Sequence, residues 1–303
     1  MDKNLSVALA GVTLKNPVMT ASGTFGSGKE YSEYINAGAL GAVVTKGVSH
    51  KPWAGNKTPR VAEVYGGMLN SVGLQNPGVE AFIKDDVPFL KRLKVVVIVN
   101  VAGETAGEYA YVAGRLSDTD GVDMLELNIS CPNAEQSGMA FGVSPKKVAE
   151  VVGLVKKSVN KPVIAKLSPN VTDITEIAIA AESAGADCLS MINTLIGMKI
   201  DIYNRRPVLA NKTGGLSGPA IKPVAIRMVY QAARCVKIPI IGIGGICTGE
   251  DAVEFLMAGA SAVAVGTASF MNPSAALEVL GGIERYMDEY GVDDVNALKS
   301  YIR

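Results

Sequence analysis

Short runs rich in Val, Ile and Ala alternate with helical patterns along almost the whole chain, and this alternation most constrains the fold. It predicts parallel strands joined by crossover helices, and near-continuous apolar strands fit a sheet buried on both faces. The predicted strands are Pro17–Thr20, Ala42–Lys46, Val95–Val99, Met124–Asn128, Pro162–Leu167, Cys188–Met191, Ile240–Gly242 and Ala262–Val265. Eight such units predict a closed (β/α)8 TIM barrel. We therefore expect residues 1–303 to form one domain.

Helical patterns fill the intervals between the predicted strands. They cover Tyr31–Ala37, Val79–Leu93, Glu108–Leu116, Ser144–Val159, Ile174–Ala184, Ala220–Val236, Gly249–Met257 and Ser274–Glu289. The phrases Ala37-Gly38-Ala39, Ala184-Gly185-Ala186 and Ala258-Gly259-Ala260 are typical of a helix that ends on a glycine and turns directly into a strand. The segment Leu5–Leu14 predicts a small N-terminal hairpin that plugs the barrel floor.

Three connections are much longer than a tight turn requires. They are Gly47–Asn76, Ser130–Val143 and Asn193–Gly218, and they follow the second, fourth and sixth predicted strands. All three therefore lie on the C-terminal face of the barrel, where barrel enzymes keep their active sites. Long ordered loops in a compact domain are usually functional, so we expect the site at this face.

Charge and cysteine usage exclude several function classes. Lys and Arg (29) balance Asp and Glu (29), so bulk charge predicts no nucleic-acid or membrane-surface partner. No apolar run approaches the roughly 20 residues that span a bilayer, and the N-terminus lacks a secretory signal. The four cysteines include no CxxC pair, which argues against a disulfide framework or a metal site. We expect a cytoplasmic protein.

Polar residues and glycines stand where the predicted strands end. They are Lys46, Asn100, Asn128, Lys166, Asn193-Thr194, Gly244-Gly245 and Gly266-Thr267. Glycine-rich turns after the last two strands predict a phosphate site, because backbone N–H groups can approach an anion closely there. A phosphate, two lysines and several amides suit FMN. We assign Lys166 to the negative charge of reduced flavin, and Lys46 to both flavin and substrate.

A loop cysteine, Cys131, follows the fourth predicted strand and precedes a proline. Its thiol could serve as a nucleophile, a general base or a metal ligand. A metal would need companion ligands, and a nucleophilic pair would depend wholly on His50, the sole histidine. The remaining interpretation is a general base beside a cofactor. We predict that Cys188, Cys235 and Cys247 are structural.

Taken together, several motifs resemble those of a known family. They are Thr20-Ala-Ser-Gly-Thr-Phe25, Thr45-Lys-Gly47, Asn70-Ser-Val-Gly-Leu74, Asn128-Ile-Ser-Cys-Pro-Asn133, Ala165-Lys-Leu167, Ile192-Asn-Thr194, Gly214-Gly-Leu-Ser-Gly218, Gly242-Ile-Gly-Gly245 and Gly266-Thr267. The chain resembles the class 1 dihydroorotate dehydrogenases of pyrimidine biosynthesis, and the resemblance runs nearly end to end. Cysteine rather than serine at the position of the base favours class 1.

The phrases that begin at Ile200 and Gly214 resemble subclass 1B. That resemblance implies an FMN-binding subunit that oxidises dihydroorotate to orotate. It also implies a separate partner subunit, which carries FAD and a [2Fe-2S] cluster and passes the electrons to NAD⁺. The expected assembly is a homodimer of this chain within a heterotetramer.

The resemblance also implies roles for individual residues. Cys131 removes the proton from C5 of dihydroorotate, while the hydride leaves C6 for the flavin. The implied FMN contacts are Ser22, Lys46, Gly47, Asn100, Asn128, Lys166, Ile192, Gly218, Gly244, Gly245, Gly266 and Thr267. The implied substrate contacts are Lys46, Asn70, Ser71, Val72, Gly73, Leu74, Asn128, Asn133, Asn193 and Thr194.

Other interpretations fit parts of the same pattern. A dihydropyrimidine dehydrogenase module would share the cysteine base and the asparagines but not a substrate carboxylate. A class 1A enzyme would pass its electrons to fumarate. A phosphate-binding barrel synthase or isomerase would carry no flavin, and a scaffold subunit would leave the polar strand ends idle.

Overall fold

Eight parallel strands close into a barrel in the computed structural model of the chain, which describes residues 3–129 and 141–302. The strands of the molecule, in chain order, are β1 (Val7–Leu9), β2 (Val12–Leu14), β3 (Val18–Thr20), β4 (Ala42–Val44), β5 (Val61–Val64), β6 (Gly67–Asn70), β7 (Val96–Val101), β8 (Met124–Leu127), β9 (Val163–Lys166), β10 (Cys188–Met191), β11 (Leu195–Met198), β12 (Ile200–Asp201), β13 (Arg206–Pro207), β14 (Thr213–Ser217), β15 (Ile240–Ile243) and β16 (Ala262–Val265).

The barrel strands follow one another around the ring in chain order. The order is β3, β4, β7, β8, β9, β10, β15 and β16, and β16 pairs in parallel with β3 to close it. Most barrel-strand residues are fully buried, as in β16, because helices cover the outside of the ring. The predicted (β/α)8 barrel is confirmed, and each predicted barrel strand lies within two residues of the observed one.

Nine α-helices are present in the described part of the chain. They are α1 (Val79–Asp85), α2 (Val87–Arg92), α3 (Ala106–Ser117), α4 (Pro145–Lys156), α5 (Ile174–Ser183), α6 (Lys222–Ala233), α7 (Gly249–Met257), α8 (Ala268–Met271) and α9 (Ala275–Glu289). None of the described helices is long and apolar enough to cross a bilayer. The single helix predicted over Val79–Leu93 divides at Asp86, because Pro88 lacks the N–H that would continue it.

The helix predicted over Tyr31–Ala37 is wrong. Two short 3-10 helices, Tyr31–Glu33 and Ala37–Ala39, occupy this connection. The Asn36 side chain accepts a hydrogen bond from Gly38 N–H and starts a new turn there. The glycine is needed for close packing rather than for a helix end, since a Cβ at Gly38 would lie 2.5 Å from the Leu93 carbonyl oxygen.

Two of the three long connections form a sheet of their own. Strands β5 and β6 belong to the connection Gly47–Asn76, and β11 and β14 belong to Asn193–Gly218. The four strands form one antiparallel sheet in the order β11-β14-β6-β5. We call these four strands the roof sheet, because they stand at the C-terminal ends of the barrel strands. No strands are predicted from the sequence in these two connections, so the roof sheet adds to the predicted barrel. The remaining long connection, Ser130–Val143, lies mostly outside the described residues, and Phe141–Val143 forms a 3-10 helix.

The N-terminal hairpin β1-β2 is confirmed. Val7 pairs with Leu14, and Leu9 and Leu14 are fully buried within the main core. Asn4 forms a bridge to Asp294, so the hairpin packs beside the C-terminal 3-10 helix Val295–Ser300. This apolar packing covers the end of the barrel opposite to the roof sheet.

Candidate active site

A pocket of about 190 Å³ opens between the C-terminal ends of the barrel strands and the roof sheet. All but three of the predicted site residues in the described ranges line it. These lining residues are Ser22, Lys46, Asn70, Val72, Gly73, Leu74, Asn128, Lys166, Ile192, Asn193, Thr194, Gly218, Gly244, Gly245, Gly266 and Thr267. Residues from six different connections therefore converge at the face that the barrel predicts.

Five predicted site residues are not among those that line the pocket, and two of these five lie outside the described residues. Gly47 and Asn100 lie directly beside it, and a Cβ at Gly47 would come within 2.9 Å of Asn100 Oδ1. Ser71 is buried, and its hydroxyl accepts a hydrogen bond from Asn56 Nδ2 at 3.0 Å. Ser71 therefore braces the loop that carries Val72, Gly73 and Leu74. Cys131 and Asn133 lie outside the described residues.

The barrel interior contains a buried layer of charge below the pocket. Glu126 on β8 is 2% exposed and Lys166 on β9 is 6% exposed, with 3.9 Å between Lys166 Nζ and Glu126 Oε1. Lys166 Nζ also donates a hydrogen bond to Ser22 Oγ at 2.9 Å. Burying one charge alone is costly, so each of these groups requires the other.

Two further side chains complete the bonding of Glu126. Asn100 Nδ2 on β7 donates to Glu126 Oε1 at 2.6 Å, and Ser190 Oγ on β10 donates to Glu126 Oε2 at 2.7 Å. The other end of the Asn100 amide, Oδ1, is buried and has no hydrogen-bond partner in the described part of the chain. Buried acceptors are rarely left unmatched, so this oxygen is suited to a donor on a bound molecule.

The glycine-rich turn after β15 packs tightly against the start of α6. Gly244 and Gly245 have φ of 131° and 78°, which only glycine adopts without strain. A Cβ at Gly245 would lie 2.8 Å from Lys222 Cβ and 2.9 Å from the Gly218 carbonyl oxygen. Glycine therefore lets this turn pack closely against the start of α6, and the turn forms part of the pocket wall.

A second turn, after β16, lies beside the first. Gly266 and Thr267 follow Val265, and Thr267 Oγ1 donates to Ser217 Oγ at 2.8 Å. Ser217 is the last residue of β14 in the roof sheet. This hydrogen bond joins the barrel mouth to the roof sheet, and both hydroxyls lie in the pocket wall.

Two asparagines of the pocket wall approach each other. Asn193 Nδ2 donates to Asn128 Oδ1 at 3.5 Å, and the Tyr109 hydroxyl donates to the Asn128 carbonyl oxygen at 2.6 Å. Thr194 N–H donates to Asn193 Oδ1 at 2.9 Å. The wall thus offers amide groups in fixed positions, which suits a flat ligand with both donors and acceptors. Asn128 is also the described pocket residue that most closely precedes Cys131 in sequence.

Sequence reasoning missed three functional candidates. Ser217 stands in the glycine-rich phrase Gly214–Gly218, which points to a family but to no role for this serine, and Glu126 lies inside an apolar strand. Cys247 is predicted from the sequence to be structural; in the structure it lines the pocket, and burial raises the pKa of its thiol. Burial also raises the pKa of Cys188, which agrees with an inert core thiol. Of the three, only Ser217 and Cys247 had a local signal in the sequence, namely the glycines beside them.

A closed parallel barrel with a polar pocket at the carboxyl ends of its strands defines a (β/α)8-barrel enzyme. The family model described as dihydroorotate dehydrogenase matches residues 4–287. The chain belongs to the dihydroorotate dehydrogenase family.

Close relatives carry one name. The chain is 62% identical to "Dihydroorotate dehydrogenase B (NAD(+)), catalytic subunit" of Alkaliphilus oremlandii, over 98% of each chain. It is 60% identical to the protein of that name from Lachnoclostridium phytofermentans, over 97% of this chain and 98% of the relative. The Geobacter sulfurreducens protein of that name is 58% identical over 97% of each chain.

A solved structure supports the fold. DHODH from Eimeria tenella in complex with ferulenol superposes with a TM-score of 0.80, over 97% of this chain and 87% of that chain. Its sequence is 22% identical, so this likeness concerns the fold alone.

Proposed function

We propose that this chain is a single-domain, FMN-binding subunit that oxidises dihydroorotate to orotate in pyrimidine biosynthesis. Its electrons then pass to NAD⁺ through a partner subunit. One observation carries the proposal: the buried Lys166, the glycine-rich turns and the Asn128–Asn193 pair all face one pocket. The names of the close relatives supply the substrate and the acceptor.

The residues present fit FMN. The turns at Gly244-Gly245 and Gly266-Thr267 line the pocket, and glycine-rich backbone of this kind can hold a phosphate through its N–H groups. The unmatched acceptor Asn100 Oδ1 fits a ring N–H of the flavin. The remaining proposed contacts are Ser22, Lys46, Gly47, Asn128, Lys166, Ile192 and Gly218.

Bound FMN supplies a hydride acceptor for the hydrogen that leaves C6 of dihydroorotate. The protein's part is electrostatic and positional. The Lys166 ammonium places a fixed positive charge at the pocket wall, where it favours the electron-rich form of the cofactor. Lys46 contacts both the cofactor and the substrate.

The amides and the backbone of the pocket bind the substrate. Asn70, Asn128 and Asn193 with Thr194 present donors and acceptors to the planar diamide. The backbone around Gly73 and Leu74, with Lys46, receives the carboxylate. Ser71, Val72 and Asn133 are the other proposed contacts, and Ser71 contributes through the loop that it braces.

Cys131 is the proposed general base for the C5 proton. The thiolate is the basic form, and an ordinary cysteine pKa is about 8.5. Turnover should therefore rise with pH as the thiol ionises. A serine at this position would be a far weaker acid and would need a higher pH.

The relatives' name, catalytic subunit, implies a second subunit. We propose that this partner carries FAD and a [2Fe-2S] cluster. We also propose that two copies of this chain assemble with two partners in the cytoplasm.

Substrate specificity tests the proposal. The purified protein should show the visible absorbance of oxidised flavin, and anaerobic dihydroorotate should bleach it. Dihydrouracil should bleach it far more slowly, because it lacks the carboxylate. Equal or faster bleaching by dihydrouracil would instead indicate a dihydropyrimidine dehydrogenase. A colourless protein that does not bind added FMN would reject the flavin assignment.

A further inference from the structure

A carboxylate behind the pocket wall carries an inference beyond the pocket itself. Glu126 does not line the pocket, whereas Lys166 does. Four neighbouring strands, β7 to β10, each contribute one polar side chain to a single buried layer: Asn100, Glu126, Lys166 and Ser190. Plain packing would place apolar side chains at all four positions, so the layer requires another explanation.

We infer that Glu126 is a positioning residue, which holds the Lys166 ammonium at the pocket wall. This inference rests on the proposed FMN function. The carboxylate accepts hydrogen bonds on both oxygens, at 2.6 Å and 2.7 Å, so it cannot turn away from Lys166. Ser22 Oγ, 2.9 Å from Lys166 Nζ, fixes the ammonium from the pocket side.

Burial makes the carboxylate necessary for this geometry. A lysine that is 6% exposed cannot rely on water to stabilise its charge. Without Glu126, the ammonium would lose its charged partner and would move out towards solvent. Glu126 also accepts from Asn100 Nδ2, which leaves Asn100 Oδ1 as the end of the amide that is offered to a ligand.

Two effects on the flavin oppose each other when Glu126 is neutralised. Losing a negative charge favours reduced flavin, whereas displacing the Lys166 ammonium from the pocket wall disfavours it. Coulomb energy falls with distance, and Lys166 lies at the pocket wall while Glu126 lies behind it. The displacement of the ammonium therefore dominates, and the flavin becomes harder to reduce.

The test compares charge with shape. Glu126→Gln keeps the size of the side chain and removes its charge, whereas Glu126→Asp keeps the charge and shortens the chain. The flavin midpoint potential should become more negative in Glu126→Gln. Its flavin reduction by dihydroorotate should slow roughly tenfold or more, the worth of one charge-assisted hydrogen bond. Glu126→Asp should be affected less. The reverse ranking would indicate a packing role and would overturn the inference.

Combining the Glu126 substitution with Lys166→Met tests whether Glu126 acts through Lys166. Lys166→Met alone should shift the potential in the same direction as Glu126→Gln. The double variant should be no worse than Lys166→Met, since the ammonium is already gone and the carboxylate is no longer unpaired. If Glu126→Gln shifted the flavin potential as much in the Lys166→Met protein as in the unsubstituted protein, the inference would be contradicted.

Controls separate this inference from the proposed function. Ser190→Ala removes one hydrogen bond from Glu126 but keeps its charge and the bond from Asn100, so the potential should shift less than in Glu126→Gln. If the unsubstituted protein binds no FMN, the proposed function fails. If it binds FMN and is reduced normally in Glu126→Gln, only the role of Glu126 fails.

Discussion

The two ends of the barrel solve opposite problems with the same strands. At the N-terminal end, β1-β2 and the C-terminal 3-10 helix bury Leu9, Leu14 and Leu298 completely. At the C-terminal end, the same ring of strands finishes in lysine, asparagine, glycine and a buried carboxylate. The N-terminal end, or floor, closes the apolar core. The C-terminal end, or mouth, buries polar and charged side chains, and the apolar core must offset the free energy of their desolvation. Substitutions at the two ends should therefore separate stability from function.

The largest effect is expected at the mouth, from the loss of the proposed base. Cys131→Ala should lower kcat by about 10²–10⁴-fold, the usual contribution of general acid–base catalysis. FMN content should stay unchanged, because no FMN contact is removed. Steady-state assays and flavin absorbance on the same preparation measure both quantities. A fully active Cys131→Ala protein would end the assignment of the base.

The floor should show the reverse behaviour. Leu14 is fully buried, so Leu14→Ala should lower the free energy of unfolding by about 2–5 kcal/mol. The Kd for FMN should stay within about twofold, because the pocket lies at the other end of the barrel. Thr13→Ala, an exposed neighbour on the same strand, is the matched control. Denaturant melts and FMN titrations decide the result, and loss of FMN binding from a protein that remains folded would break the comparison.

A smaller effect is expected from the glycine wall of the mouth. Gly245→Ala adds a Cβ that would meet Lys222 Cβ at 2.8 Å and Gly218 O at 2.9 Å, at a φ of 78°. The turn must shift, so the Kd for FMN should rise roughly tenfold, the worth of about 1.4 kcal/mol. Gly291→Ala is the control, since it has φ of 64° and nothing within 4 Å of the added Cβ. Equal FMN affinity in both variants would remove the phosphate-site assignment.

The smallest effect is expected from a lysine at the floor. Burial lowers the pKa of Lys299, whose Nζ donates to Ser261 Oγ at 2.8 Å. In the pH window between the lowered pKa of Lys299 in the folded protein and its pKa of 10.5 in the unfolded chain, the unfolded chain binds more protons. The free energy of unfolding therefore rises with pH in this window. Lys299→Met should remove that rise, by less than about 1 kcal/mol because the side chain is only partly buried. Urea melts across alkaline pH measure it, and an unchanged slope would contradict the assignment.

The barrel was predictable because each of its strands carries its own apolar signal. Strand β16, with the sequence Ala-Val-Ala-Val, is buried whatever its neighbours are. The roof sheet was not predictable, since Asn70 pairs with Gly215 and neither segment shows regular apolar alternation. Such long-range pairing leaves no local pattern.

The candidate site divides in the same way. Glycines at turns and lysines at strand ends are visible in the sequence, and Lys166, Gly244 and Gly245 do line the pocket. The role of Glu126 could not be predicted, because it depends on partners from three other strands, Asn100, Lys166 and Ser190. Buried polar networks are properties of the packed barrel, not of any one segment.

Electron flow tests the central claim most directly. Purified chain and dihydroorotate are mixed anaerobically with NAD⁺, with and without the co-purified partner subunit. The account predicts that the lone chain reduces its own flavin but forms almost no NADH, and that adding the partner restores NADH formation. Efficient NADH formation by the lone chain would contradict the partner assignment. A lone chain that binds no flavin, or whose flavin dihydroorotate leaves oxidised, would contradict the proposed site itself.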